Sequence, residues 1–145
     1  MCNLFLQDRH AGRTPRWRGV TVLHELKSAG VNVMVASDNT RDPFYPYGDL
    51  DMMETWREAV RILHLDYPFA DWAPAFAAAP AKAMGLELGQ LRPGGRADMI
   101  LTKARDFPEL LARPQSDRIV IRNGQASTAE PPDYSELDGL KGLAP

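Results

Sequence analysis

The stretch GVNVMVASDNTRDPFYPYGDLDMMETWREA, residues 30–59, decides the fold. Its first part, VNVMVA at residues 31–36, is rich in β-branched side chains and apolar on both faces apart from Asn32. Strands of that kind are typical of parallel sheets covered by helices. Residues 37–49 hold two prolines, a glycine and several Asx and hydroxyl side chains, so they read as a loop. Asp49 is the expected cap of the next helix, with Asp51 in its first turn complementing the dipole. Met52, Trp56, Ala59, Val60 and Leu63 fall on one helical face, which predicts a helix to about His64.

Working outward, residues 3–7 (NLFLQ) form a short apolar run before a charged loop at residues 8–19. Residues 20–29 (VTVLHELKSA) place Val20, Leu23 and Leu26 at helical spacing, and Gly30 follows as a C-cap. Strand, helix and strand in that order make a βαβ unit, and residues 31–64 repeat it in phase, so this part is α/β. Residues 69–84 are alanine-rich and predict two short helices broken at Pro80, with Gly85 capping the second. The character then changes. Pro93-Gly94-Gly95 is a turn, residues 97–102 and 118–122 read as strands, and Asn123-Gly124 is a strong hairpin signal into residues 125–127. From about Thr128 a loose tail is expected. Two parallel strands cannot bury their own faces, and the β part has too few strands for a sandwich. The isolated chain should therefore expose apolar surface and open edges and be marginally folded or prone to aggregate.

Composition limits the function. A chain of 145 residues with a net charge of −2 has no basic footprint, which argues against nucleic-acid binding. No run is apolar enough to span a bilayer. The first ten residues do not read as a secretory signal, and with the single Cys2 they favour a cytoplasmic protein. Cys2 itself reads as a small buried apolar residue. Met52, Met53 and Trp56 read as helix packing, and Arg13, Arg16 and Arg18 as a solvated loop with substrate contact as the alternative.

In α/β sheets and barrels, functional residues sit in the loops at the C-terminal ends of strands. Asp38 stands there, two residues beyond the apolar run. A carboxylate in that position can ligate a metal or exchange a proton. It can equally be one of three consecutive turn formers, Ser37, Asp38 and Asn39.

Residues 30–59 resemble the eighth strand, loop and helix of the amidohydrolase superfamily, in its cytosine deaminase branch. The matching features are Asp38, Asn39 and Asp42-Pro43-Phe44. NLFLQDR at residues 3–9 resembles the seventh strand of that barrel. PAKAMGLELGQLRPGGRADMILT at residues 80–102 resembles the crossing into the outer β-domain, and RIVIRNGQ at residues 118–125 its closing hairpin. The resemblance implies that residues 1–85 are the last two βα units of an incomplete barrel. Residues 86–127 would be part of a composite β-sandwich, and residues 128–145 the tail.

It also implies a hydrolase with one divalent metal ion, iron or zinc. Water would attack a ring carbon bearing an exocyclic amine and release ammonia. Asp38 would be both metal ligand and proton shuttle. Asn39 and Phe44 would bind a small nucleobase-like substrate, Asn39 at its polar edge and Phe44 against its face. The complete enzyme would be a homo-oligomer with no nucleic-acid or membrane partner. The branch often has an acidic residue in place of Asn39 and Trp in place of Phe44. An amide donates and accepts but carries no charge, so the preferred ring need not be cytosine. An s-triazine or a creatinine-like ring is the alternative within enzymes, and a non-catalytic truncated product the alternative outside them.

Such an enzyme also needs a His-x-His pair, two later histidines and a glutamate. His10, His24 and His64 are not at ligand spacing and read as structural or solvent-facing. One aspartate cannot hold a metal that wants three or four protein ligands. The chain is therefore expected to be the C-terminal portion of a longer enzyme, inactive alone, with Met1 an internal methionine of the longer frame.

Overall fold

A computed structural model describes residues 20–42, 45, 47–130 and 132–143. The expected strand at residues 3–7, the loop carrying Arg13, Arg16 and Arg18, and Cys2 and His10 lie outside the described residues.

Helix α1, Leu23–Ser28, ends in a Schellman motif. Gly30 adopts φ +81°, its N–H donates to the Lys27 carbonyl, and the Val31 N–H donates to the Leu26 carbonyl. The chain leaves this cap extended. Along residues 31–36 burial alternates, with Val33 and Val35 packed on the core and Val31 and Met34 exposed. The expected strand is thus extended but belongs to no ladder among the described residues. A strand takes its hydrogen bonds from a neighbour, and the expected neighbour, residues 3–7, is outside the described region. The segment is held instead by the Val35 N–H donating to the Ala75 carbonyl and the Asn32 amide donating to the Ala79 carbonyl.

Helix α2 is Met52–Leu63, and its cap is Asp51, not the expected Asp49. The capping carboxylate must come from the extended residue just before the first turn, and Asp51 there accepts from the Met53 N–H at 2.9 Å. His64 ends the helix in the left-handed region.

Next come α3, Phe69–Trp72, a 3-10 turn, Ala73–Phe76, and α4, Ala78–Ala83. The break falls at Ala77 rather than at the expected Pro80. Pro80 sits in the first turn of α4, where its missing N–H has no intrahelical partner to lose. A second Schellman motif at Gly85 closes α4, with the Leu86 N–H donating to the Ala81 carbonyl.

The core joins Leu23 of α1, Ala59 of α2, and Leu65, Trp72, Ala75 and Phe76 beyond it. Leu65 is wholly buried and Trp72 is 3 % exposed. Burying a large apolar side chain contributes about 1.5–3 kcal/mol. His24 acts structurally here. Its Nε2 donates to the Leu63 carbonyl at 2.7 Å while its ring meets Trp72 edge-on.

Strands β1, Met99–Leu101, β2, Ile119–Arg122, and β3, Gln125–Ala126, form an antiparallel sheet in that order. Met99 faces Ile121, and Arg122 faces Gln125 across the turn. Asn123 and Gly124, at φ +50° and +76°, make the tight two-residue turn that the Asn-Gly pair predicts. Helix α5, Phe107–Ala112, was not anticipated. Its signal is a local one, Asp106 accepting from the Glu109 N–H at the N-terminus, in six residues too short for periodicity. The carbonyls of Glu109 and Leu110 are closed off by the amide of Gln115, which is 2 % exposed. The expected loose tail holds a 3-10 stretch, Tyr134–Leu143, exposed over residues 135–140. The whole is mixed α/β with a small open sheet.

A ring contact and an ion pair help join the β part to the helices. Trp56 stacks on Phe76 and meets Phe107 edge-on. Arg118, just before β2, forks onto both oxygens of Asp51 at 2.8 and 2.6 Å. Burial pushes the Asp51 carboxyl up, but the Arg118 hydrogen bond, the Met53 N–H and the guanidinium charge together outweigh it and hold it below its ordinary 3.8. The same pairing raises Arg118.

Asp51→Asn keeps a competent cap and removes the charge pair. The Asp51 and Arg118 side chains are 22 % and 25 % exposed, so the expected loss at neutral pH is about 1–2 kcal/mol. Because the folded carboxyl titrates below its unfolded value, this contribution is full above pH 3.8 and disappears as pH falls through the lower folded value. Thermal unfolding of wild type and variant from pH 7 downward should show the two curves converging only in that acid range. A second substitution tests a close backbone approach. A Cβ on Gly89 would lie 2.5 Å from the Ala77 carbonyl carbon, and Gly89 sits at φ +76°. Gly89→Ala should lower stability by more than about 1 kcal/mol, read by denaturant unfolding.

Candidate functional site

The loop after the extended segment closes on itself through short polar contacts. Asp38, exposed at the end of that segment, has φ +63°, a conformation that Asp tolerates better than most residues. Arg41, at φ +54°, is the second turning point. Its N–H donates to the Tyr47 carbonyl, and its guanidinium reaches the Gly48 carbonyl at 3.2 Å and the Asp49 carboxylate at 2.7 Å. This explains what Asp49 does instead of capping α2. Between these points the Asp42 carboxylate accepts from the Tyr45 N–H at 2.9 Å and from the Asn39 side-chain amide at 2.6 Å. Asp42 precedes a proline, which restricts its backbone and stiffens this corner. The Thr40 hydroxyl donates to Ser37.

A cavity of about 400 Å³ lies under the loop, between the extended segment, α1 and α2. Its walls are mostly apolar, with Leu23, Val35, Ala59 and Leu63 among them, and Ser37, Asn39 and Tyr45 edge its polar end. Asn39 is therefore half-buried and at a cavity. Asp38, its neighbour, is not among the lining residues, and Phe44 lies outside the described residues. The sequence reading missed the Arg41–Asp49 clamp. Its residue types were visible, but the pairing depends on a backbone reversal that no spacing rule gives.

As a metal site the loop is incomplete. Among the described residues no three His, Cys, Asp or Glu side chains come together as ligands. Asp38 supplies one carboxylate where a catalytic metal needs about three protein ligands, so the described residues do not by themselves fit a metal ion. Among the same residues no helix is long and apolar enough to cross a membrane.

Residues 2–127 match the model of the Amidohydrolase family. The chain belongs to that family. This amidohydrolase chain is 58 % identical over 143 residues to a pterin deaminase of Rhizobium rhizogenes (strain K84 / ATCC BAA-868). The alignment covers 98 % of the chain and 33 % of the relative, so the chain spans about a third of the length of the curated relative it matches. No solved structure matches it. Members of the superfamily generally use a divalent metal.

The clamp makes a direct prediction. Arg41→Ala keeps the left-handed backbone but loses the guanidinium contacts to Gly48 and Asp49. Hydrogen exchange at the amides of residues 41 and 42 should speed up roughly tenfold, about 1.4 kcal/mol of local opening, while the amides of α2 keep their protection.

Proposed function

We propose that this chain forms part of an amidohydrolase that deaminates a nitrogen-containing aromatic ring, and that the ring is of pterin type. Residues 1–85 would supply two βα units of its barrel, and residues 86–127 part of the outer β-domain. The observation that carries the reading is the 58 % identity to a pterin deaminase along nearly the whole chain. Asp38 lies within that match, at the end of an extended segment and on a loop held by two left-handed residues.

In the reaction, a water oxygen bonds to the ring carbon that carries the exocyclic amine. The C–N bond then breaks, ammonia leaves and a ring carbonyl remains. Asp38 suits the proton traffic of this sequence, taking a proton from the attacking water and returning one to the departing nitrogen. It is also a carboxylate this loop can offer to a divalent metal, whose remaining ligands the described residues do not contain. Asn39 and the apolar walls beside it give the ring a polar edge and a surface to lie against. Cytosine, the ring suggested by the resemblance of residues 30–59, offers the same aminated carbon in a smaller frame and is the natural competitor.

The test is a segment exchange. The matched third of the Rhizobium pterin deaminase is replaced by this chain, and ammonia release is measured with pterin and with cytosine. The exchanged enzyme should act on pterin in preference to cytosine. Asp38→Ala within it should lower kcat by about 10³-fold at unchanged thermal stability. Full activity of that variant would remove Asp38 from the mechanism, and preference for cytosine would overturn the ring assignment.

A further inference from the structure

Asn39 can show a ligand either of two faces, a carbonyl oxygen that accepts or an NH2 that donates. Which one it shows decides the kind of ring edge it can recognise. In this loop the choice is made by Asp42. A carboxylate has no proton to give, so the end of the Asn39 amide that meets it at 2.6 Å must be the nitrogen. The carboxylate cannot swing away without loss, because its other oxygen holds the Tyr45 N–H at 2.9 Å. Asn39 is half-buried and lines the cavity, and among the described residues no donor reaches its Oδ1.

We propose that Asp42 is a positioning residue that locks the Asn39 amide, so that Asn39 presents its Oδ1 alone to the cavity and selects rings whose facing edge carries N–H donors. This rests on the ring-deaminase reading and narrows it. Pterin meets the requirement, because a ring N–H stands next to its amine-bearing carbon. Asn39 then does the accepting work of one carboxylate oxygen without bringing a second negative charge beside Asp38. A ring edge made only of lone pairs would face Oδ1 unpaired, and a buried polar group left that way weakens binding.

The lock can be reversed and then restored in the segment-exchanged full-length enzyme. In Asp42→Asn the new amide can still accept from the Tyr45 N–H, but it can donate toward position 39. That frees Asn39 to turn its NH2 to the cavity. Pterin should then show a KM raised roughly 10- to 100-fold, with kcat changed far less and the melting temperature unchanged. Adding Asn39→Asp gives position 39 a carboxylate that only accepts, held now by the amide at 42. This double variant should recover most of the lost KM. The dissociation constant for pterin on chelator-treated protein should follow the same order, free of turnover.

A single variant with wild-type KM and affinity would overturn the proposal. So would a double variant no better than the single one, since that is the result of a merely structural role. If the enzyme with Asn39 and Asp42 intact deaminates neither pterin nor cytosine, the ring-deaminase reading falls and the proposal with it. Intact activity with no effect of Asp42→Asn removes the proposal alone.

Discussion

The fork between Asp51 and Arg118 ties together parts of the chain 67 residues apart. One carboxylate serves as the cap of α2 and as the anchor of the strand that leads into the hairpin. The two tasks reinforce each other. Capping holds Asp51 in an extended backbone with its oxygens fixed in direction, so Arg118 meets a preorganised partner and gives up less freedom in binding it. The Trp56 ring, one turn into the same helix, packs on Phe107 and adds an apolar seam beside the ionic one. Without these contacts the small sheet would have little to rest on, since Ile100, Leu101 and Ile119 all remain exposed.

Much of this was legible in the residues. The Asn123-Gly124 turn, the apolar face of α2 and the glycine stops after α1 and α4 are all local signals, and each has its counterpart in the structure. What sequence reasoning misplaced depends on competition between neighbours of the same type. Asp49 and Asp51 are equally good caps on paper, and only the course of the loop sends one to Arg41 and the other to Met53. Pro80 looks like a breaker until it is seen to fall in a first turn. The small α5 was invisible to periodicity because six residues complete fewer than two turns.

Asp38 was legible as a carboxylate at the end of an extended segment, but its surroundings were not. The loop that carries it is shaped by contacts between side chains and backbone a few residues apart. Such contacts compete with regular structure and leave no periodic trace. Asn39 lines the cavity, and Asp38 is not among its lining residues.

The Schellman cap at Gly30 has a consequence for how this segment can vary. It ends α1 at a defined residue and starts the extended run at the next one, so the distance from Gly30 to Asp38 is a count with a parity. Inserting or deleting one residue in that interval would exchange the faces of Val33, Val35 and Met34 and carry Asp38 to the opposite side. Swapping one apolar residue for another of similar size would do neither. The interval therefore tolerates changes of spelling but not of length, and gaps should be confined to the loop that follows it.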